Sequence, residues 1–319
     1  MIRTKQRYTG CRLDRASELR KDPDWVADRF AHPGSRILPL WRNRNLVAQC
    51  TGKTRKLVAL SHGQSHGFLE AANETVFLGM DSGTALFAVD VSSLSEPDSE
   101  KIAGEAGFLD LRRFGPSIGR EEAALAAYAR SALRWHRYSR YCGHCGEPSE
   151  SRHGGHLRVC SNTKCKREIY PRTDPAVIML VEAWPSDQSP PRCLLANHHR
   201  SPSGSYSTLA GFVEPGESLE EAVAREVFEE VGIMLSRIDY QDSQPWPFPA
   251  SIMLGFRTIA ETTSLAIDSA EIGDARWFTA DEISMFGEWD DPDARLRLSP
   301  KDSIARYLID SWMQDIARR

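Results

Sequence analysis

Apolar positions along this chain change their rhythm several times, and each rhythm predicts a different element. Short runs rich in branched and aromatic residues, Thr75-Val76-Phe77-Leu78 and Ala85-Leu86-Phe87-Ala88-Val89, flank the turn-forming Asp81-Ser82-Gly83 and predict two strands of a small mixed N-terminal region. From Glu121 to about Arg137 the apolar residues Leu125, Tyr128, Ala129, Ala132 and Leu133 fall at i, i+3, i+4, i+7 and i+8, one face of a helix. The continuous run Ala176-Val177-Ile178-Met179-Leu180-Val181 reads as a buried strand. A loop from Pro185 to Pro191 separates it from a second strand at Leu194-Leu195-Ala196. Residues 211 to 233 then read as loop, helix and stop: Pro215-Gly216 supplies a turn, Ser218 and Glu221 have the spacing of a capping box, and Gly232 stands where a helix ends.

With 319 residues, 41% hydrophobic and 26% charged, the chain has the composition of a soluble globular protein of about two domains. A net charge of -4 offers no general attraction to nucleic acid or to an anionic membrane, so a polyanion would have to meet a local basic patch. The start, Met1 to Tyr8, carries charge with no apolar run behind it. No later stretch is apolar for long enough to cross a bilayer, so a cytoplasmic protein with no membrane partner is the simplest reading. Of seven cysteines, four crowd into residues 142 to 165 while Cys11, Cys50 and Cys193 stand alone, which suggests a metal cluster and not a disulfide framework.

On the helix that follows Ser218, Glu226, Glu229 and Glu230 lie at i, i+3 and i+4 and so share a face, while Val223 and Val227 form an apolar pair elsewhere. Like charges this close repel unless something neutralises them. Clustered hard oxygen ligands suit Mg²⁺ or Mn²⁺, which would also bind the phosphate oxygens of a substrate, and the bland alternative is a solvated acidic face. The full spacing, Gly211, Glu217, Arg225-Glu226-Val227, Glu229-Glu230, Gly232-Ile233, resembles the Nudix box at every fixed position. That resemblance implies a Nudix fold, hydrolysis of a nucleoside diphosphate linked to another group, and divalent metal held by Glu226, Glu229 and Glu230. Glu217 is included among the catalytic set, with Arg225 expected to pair with it and pin the loop to the helix. By the same resemblance Glu271, in the segment Ile267 to Trp277, and the backbone carbonyl of Ala210 join the metal ligands.

Past the box runs Ser243-Gln244-Pro245-Trp246-Pro247-Phe248-Pro249-Ala250-Ser251. Its prolines are expected to hold an extended backbone that presents Trp246 and Phe248 with little conformational freedom, which suits contacts with flat bases, a loop that seals a core, or a partner-binding segment. The run is similar to the signature of the NADH pyrophosphatase branch of the Nudix superfamily. This implies that Gln244, Pro245, Trp246, Pro247, Phe248, Pro249, Ala250 and Ser251 help bind a dinucleotide. The same resemblance makes Phe212 and Tyr170 candidate stackers on nicotinamide, and puts Ala305 at a position associated with substrate.

Cys142-Gly143-His144-Cys145 and, after fourteen intervening residues, Cys160-Ser161-Asn162-Thr163-Lys164-Cys165 make two knuckles whose thiolates could enclose one structural zinc. The second knuckle is wider than the commonest spacing, which leaves His144, His153 or His156 open as the fourth ligand in place of Cys165. The NADH pyrophosphatase resemblance includes such a ribbon. Basic residues around it, among them Arg134, Arg137, Arg140 and Lys164, could track RNA, and the family also removes NAD caps from RNA.

The expected fold is therefore α+β: a Nudix α/β/α sandwich with a mixed sheet, preceded by a zinc ribbon and a smaller N-terminal α/β domain. The expected divisions are 1–120, 121–172 and 173–319. The implied reaction converts NAD(H) and water to NMN(H) and AMP, in a homodimer, with NAD-capped RNA as a second substrate. The alternatives are a Nudix hydrolase of ADP-ribose or a dinucleoside polyphosphate, and a non-catalytic nucleic-acid-binding regulator.

Overall fold

Two mixed sheets, each with a single parallel pair at its centre, organise the chain. A computed structural model describes residues 6–49, 54–187, 189–199 and 201–318. Cys50 and the first five residues, on which two of the expectations above fall, lie outside the described residues. The chain divides into two units. One comprises residues 8–173 with 247–250; the other comprises Gln6, Arg7, 174–246 and 251–318.

In the first unit the helices are α1 (Pro23–Ala31), α2 (His66–Glu70), α3 (Glu96–Ala103), α4 (Leu111–Phe114) and α5 (Arg120–Tyr138). Its strands are β1 (Arg36–Trp41), β2 (Arg44–Gln49), β3 (Arg55–Leu57), β4 (Leu60–Ser61), β5 (Glu74–Asp81), β6 (Thr84–Asp90) and β7 (Gly107–Leu109). The order is β3-β2-β1-β6-β5, with β4 on β1, β7 on β2, and β1 and β6 parallel. The two apolar runs flanking Asp81-Ser82-Gly83 are the hairpin β5–β6, and Ser82 and Gly83 take the positive φ that its tight turn requires. Ile37, Trp41, Phe77 and Phe87 form the core. Helix α5 leads to a three-stranded ribbon, β8 (Ser149–Arg152), β9 (Leu157–Cys160) and β10 (Glu168–Ile169), all antiparallel.

The second unit has β11 (Asp174–Ala183), β12 (Arg192–His198), β13 (Ser205–Tyr206), β14 (Leu209–Phe212), β15 (Leu235–Trp246), β16 (Ser251–Ala260), β17 (Ile272–Thr279) and β18 (Arg297–Leu298). Its helices are α6 (Leu219–Val231), α7 (Ala280–Ser284) and α8 (Ile304–Ala317). The main sheet runs β15-β16-β11-β12-β17, with β14 on β11, and β11 is parallel to β16. Continuous apolarity in β11 follows from burial on both faces. Val177, Met179 and Val181 pack towards Val223, Val227 and Val231 of α6, while Ile178 and Leu180 pack towards Leu308, Ile309 and Trp312 of α8. The result is the expected α/β/α sandwich. Each fully buried valine on α6 contributes about 1.5–3 kcal/mol, which fixes which helix face is left for chemistry.

The proline-aromatic run departs from the extended segment expected of it. Residues 243–246 finish β15, Ser251 begins β16 opposite Trp246, and Pro247 to Ala250 make the turn of an antiparallel hairpin. Pro245 fits because β15 is an edge strand, where one backbone N–H can be absent without breaking an interior ladder. Among the described residues, no helix is long and apolar enough to cross a membrane.

Candidate active site and cysteine cluster

The loop and helix of residues 211–232 are fixed by their own side chains. Ser218 accepts from the Glu221 N–H while the Glu221 carboxylate accepts from the Ser218 N–H at 2.7 Å, closing the capping box, and Gly232 ends α6 at φ 71°. Both oxygens of Glu217 are committed: Oε1 accepts from Arg225 Nε at 2.5 Å, and Oε2 from Arg225 Nη2 and the Glu214 N–H at 2.9 Å. The Arg225 guanidinium, with help from that N–H, pulls the Glu217 carboxyl down to about 2. Arg225 Nη2 also donates to the Phe212 carbonyl at 2.9 Å, so one side chain pins loop, strand end and helix together. Its partners in turn raise the Arg225 guanidinium, Glu217 foremost.

Glu226, Glu229 and Glu230 share a helix face but not an environment. Glu229 is exposed, and Arg225 Nη1 lies 2.9 Å from both its Oε2 and Glu226 Oε1. The Glu226 carboxylate packs against the backbone of Gly211, where a Cβ would meet its atoms at 1.8–2.2 Å. The box glycine is therefore a matter of space, not of φ. Glu230 is only 3% exposed, and its Oε2 is buried with no hydrogen-bond partner. Burial first, then the charges of Glu226, Glu271 and Glu229, push its carboxyl up to about 8, and burial likewise raises Glu226. An orphaned, buried carboxylate oxygen beside further carboxylates costs free energy that a hard cation would offset, so this donor set fits Mg²⁺ or Mn²⁺. Ala210 precedes Gly211 on β14, and Glu271, exposed, ends the loop before β17.

That loop carries features the sequence did not signal. The N–H groups of Ala266 and Asp268 donate to the carbonyls of Val231 and Glu230, both at 2.9 Å, tying the loop to the end of α6. Asp268 Oδ1 accepts from the Ala270 N–H, and the Ser269 carbonyl lies 2.9 Å from His199 Nε2. His198, at a β-bulge opposite Ile272, is lowered by burial and feels the charge of Glu271. The Asp-Ser-Ala-Glu order was the only local hint, as an Asx turn.

The remaining sequence-selected residues fall in varied settings. Phe212 and Tyr170 expose 60% and 63% of their surface and belong to different units, with the Tyr170 hydroxyl bonded to Glu168. Gln244 is fully buried: its amide donates to the Asp302 carbonyl at 2.7 Å and the Arg7 carbonyl at 3.3 Å and accepts from the Ile304 N–H at 2.8 Å. It thus clamps the start of α8, where Ala305 packs in the core. Ser251 is buried. In the other unit the Pro247 carbonyl accepts from Arg130 Nε at 3.1 Å, and the Phe248 ring meets Tyr8 edge-on at 5.8 Å. Pro245 and Pro249 are exposed, Trp246 and Ala250 half-buried.

The four cysteines converge. Among the described residues they are the one group of three or more His, Cys, Asp or Glu whose ligand atoms all lie within 4.8 Å of one another; the Cys142–Cys165 and Cys145–Cys160 sulfurs are 3.9 and 3.4 Å apart. Sulfurs about 3.8 Å apart are what a tetrahedral Zn–S distance of about 2.3 Å demands. Cys165 is the fourth member, and the wide second knuckle closes because the Asn162 carbonyl accepts from both Cys165 and Lys166 N–H at 3.0 Å. His156 is engaged elsewhere, with Nε2 2.8 Å from the Phe77 carbonyl and 3.1 Å from the Tyr128 hydroxyl. Backbone N–H groups of Cys145 and His144 hold the Cys142 thiol down at about 6, while burial and its neighbours push Cys160 up to about 12. Four thiols cannot all ionise at this spacing without a cation, so the cluster fits a structural zinc.

The fold and the glutamate helix together define a Nudix hydrolase domain, and residues 174–298 match the NUDIX domain. Residues 34–135 match the NADH pyrophosphatase-like rudimentary NUDIX domain and 137–170 the NADH pyrophosphatase zinc ribbon domain. NAD-capped RNA hydrolase NudC of Mycobacterium bovis is 36% identical over 308 residues, covering 94% of this chain and 92% of that protein. NAD-capped RNA hydrolase NUDT12 of Homo sapiens is 30% identical over 340 residues, covering 95% and 72% respectively. The chain belongs to the NADH pyrophosphatase family of Nudix hydrolases.

Proposed function

We propose that this enzyme cleaves the diphosphate bond of NAD(H), giving NMN(H) and AMP, and removes NAD caps from RNA by the same reaction. One observation carries the metal-dependent part: the buried Oε2 of Glu230, without a partner, beside a Glu226 carboxylate seated on Gly211. Glu226, Glu229, Glu230, Glu271 and the Ala210 carbonyl would hold Mg²⁺ or Mn²⁺. When bound, the cation stabilises charge on the diphosphate and lowers the pKa of a water. Glu217 acts at one remove, through Arg225, by fixing the loop. Glu230, raised towards neutrality, can hold or release a proton at Oε2 near physiological pH. Phe212 offers an open ring face to a base, Trp246 stands at the end of β15, and Tyr170, in the other unit, is likewise exposed.

We further infer one zinc per chain, a homodimer, a cytoplasmic setting, and a functional division near residues 120 and 172. Two relatives named as NAD-capped RNA hydrolases support the NAD-capped substrate. Purified protein with Mg²⁺ or Mn²⁺ is offered NADH, ADP-ribose, a diadenosine polyphosphate and NAD-capped RNA, and the products are resolved. NMNH plus AMP, and 5′-monophosphate RNA, are the expected products. Faster turnover of ADP-ribose or the polyphosphate would reassign the substrate, and binding of RNA without turnover would replace the enzyme by a regulator.

A further inference from the structure

The unit of residues 8–173 and 247–250 contains a cavity of about 710 Å³ lined by four arginines, Arg44, Arg112, Arg113 and Arg130, against a single acidic residue, Asp110. Arg130, 9% exposed, is fixed in place: besides its bond to Pro247, it donates to the Asn43 carbonyl and lies 3.4 Å from Asp110. The other three differ. Arg112 lies over the Phe248 ring, 4.6 Å from its centre, and Arg44 is 5.4 Å from that of Trp41. Among the described residues, no hydrogen bond or ion pair engages the guanidinium of Arg44, Arg112 or Arg113.

Like charges gathered around one concavity repel and raise the local potential, and an anion there relieves both effects. A planar fork of N–H donors matches the oxygens of phosphate, and several such forks favour more than one negative charge. A lone carboxylate would leave most of the volume and charge unanswered. We propose that this cavity is a second binding site, for a phosphate ester of at least two negative charges, supplied by a free phosphorylated nucleotide or by successive phosphodiesters of an RNA chain. Its four arginines lie outside the unit that carries the glutamate helix, while Phe248 and Pro249 of its wall belong to the run read above as helping to bind a dinucleotide.

The test uses the full chain with no divalent metal added, so that the glutamates cannot recruit phosphate through a cation. Calorimetry measures binding of inorganic pyrophosphate and of a 5′-hydroxyl decaadenylate to wild type and to Arg112→Ala/Arg113→Ala. Both side chains are exposed, so zinc content and melting temperature should be unchanged; should they change, Arg44→Glu, on a separate strand, supplies the same readout. At least one probe should bind wild type and weaken tenfold or more in the variant, with Arg112→Lys/Arg113→Lys retaining part of the affinity. Loss confined to pyrophosphate identifies a free-phosphate site, and loss for the oligonucleotide identifies a seat for the RNA chain. Failure of both probes to bind wild type, or equal binding by the variant, overturns the proposal.

Discussion

The cysteine cluster and the glutamate helix, each proposed above as a cation site, offer their ligands in opposite ways. The four sulfurs lie within 4.8 Å of one another on knuckles closed by backbone hydrogen bonds, a site complete in itself. The glutamates run from the buried Glu230 to the exposed Glu229, with Arg225 between two of them. A closed set turns binding energy into folding energy; an open one leaves room for a substrate's oxygens.

The largest effect should come from breaking the closed side. Structural zinc sites bind with apparent free energies of ~10–16 kcal/mol. Cys142→Ser or Cys160→Ser should therefore lose most bound zinc and unfold the ribbon, as read by elemental analysis and limited proteolysis. Full zinc retention with an intact ribbon would remove the contrast. On the open side, Glu229→Gln should lower turnover on the order of a hundredfold or more, with melting temperature unchanged, since it removes one exposed ligand charge at constant volume. Near-normal turnover at saturating metal would remove Glu229 from the ligand set.

Next, the two sides should respond to pH with opposite signs in metal-free protein. Glu230 is raised from an ordinary value of 4.5 to about 8, so the folded state holds a proton the unfolded state releases, and stability is lost as pH rises through that window. Glu230→Gln should therefore stabilise the metal-free chain at pH 8 by a few kcal/mol while abolishing turnover. His156 near the ribbon is lowered from 6.5 to about 4, mainly by burial, so its contribution is present above pH 6.5 and is lost as pH falls towards 4, on the order of 3 kcal/mol. Denaturant titrations at pH 8, 6.5 and 4.5 on wild type, Glu230→Gln and His156→Gln separate the two; slopes of the same sign would contradict the assignment.

The smallest effect concerns selectivity. Trp246→Ala should weaken NADH hydrolysis by roughly 1–3 kcal/mol in kcat/KM and ADP-ribose hydrolysis less, if the indole meets a base. Equal losses on both substrates would make Trp246 a support of the β15–β16 hairpin only.

The sequence alone determined the local devices. The Ser218–Glu221 box, Gly232 as the stop, the Glu217–Arg225 pair and the cysteine knuckles depend on residues a few positions apart, where spacing dictates geometry. The β11 run announced burial on both faces because nothing polar interrupts it. Tertiary structure decided what distance in sequence hides. Gly211 must be bare because Glu226 swings onto it from the helix. Gln244 is a clamp because the start of α8, some sixty residues on, comes to its amide. Pro245 can sit within the 243–251 hairpin because β15 is an edge strand, and only the sheet order reveals that edge. Which glutamate is buried, and hence which one holds a proton near neutrality, follows from burial and neighbouring charge, to which helical period is blind.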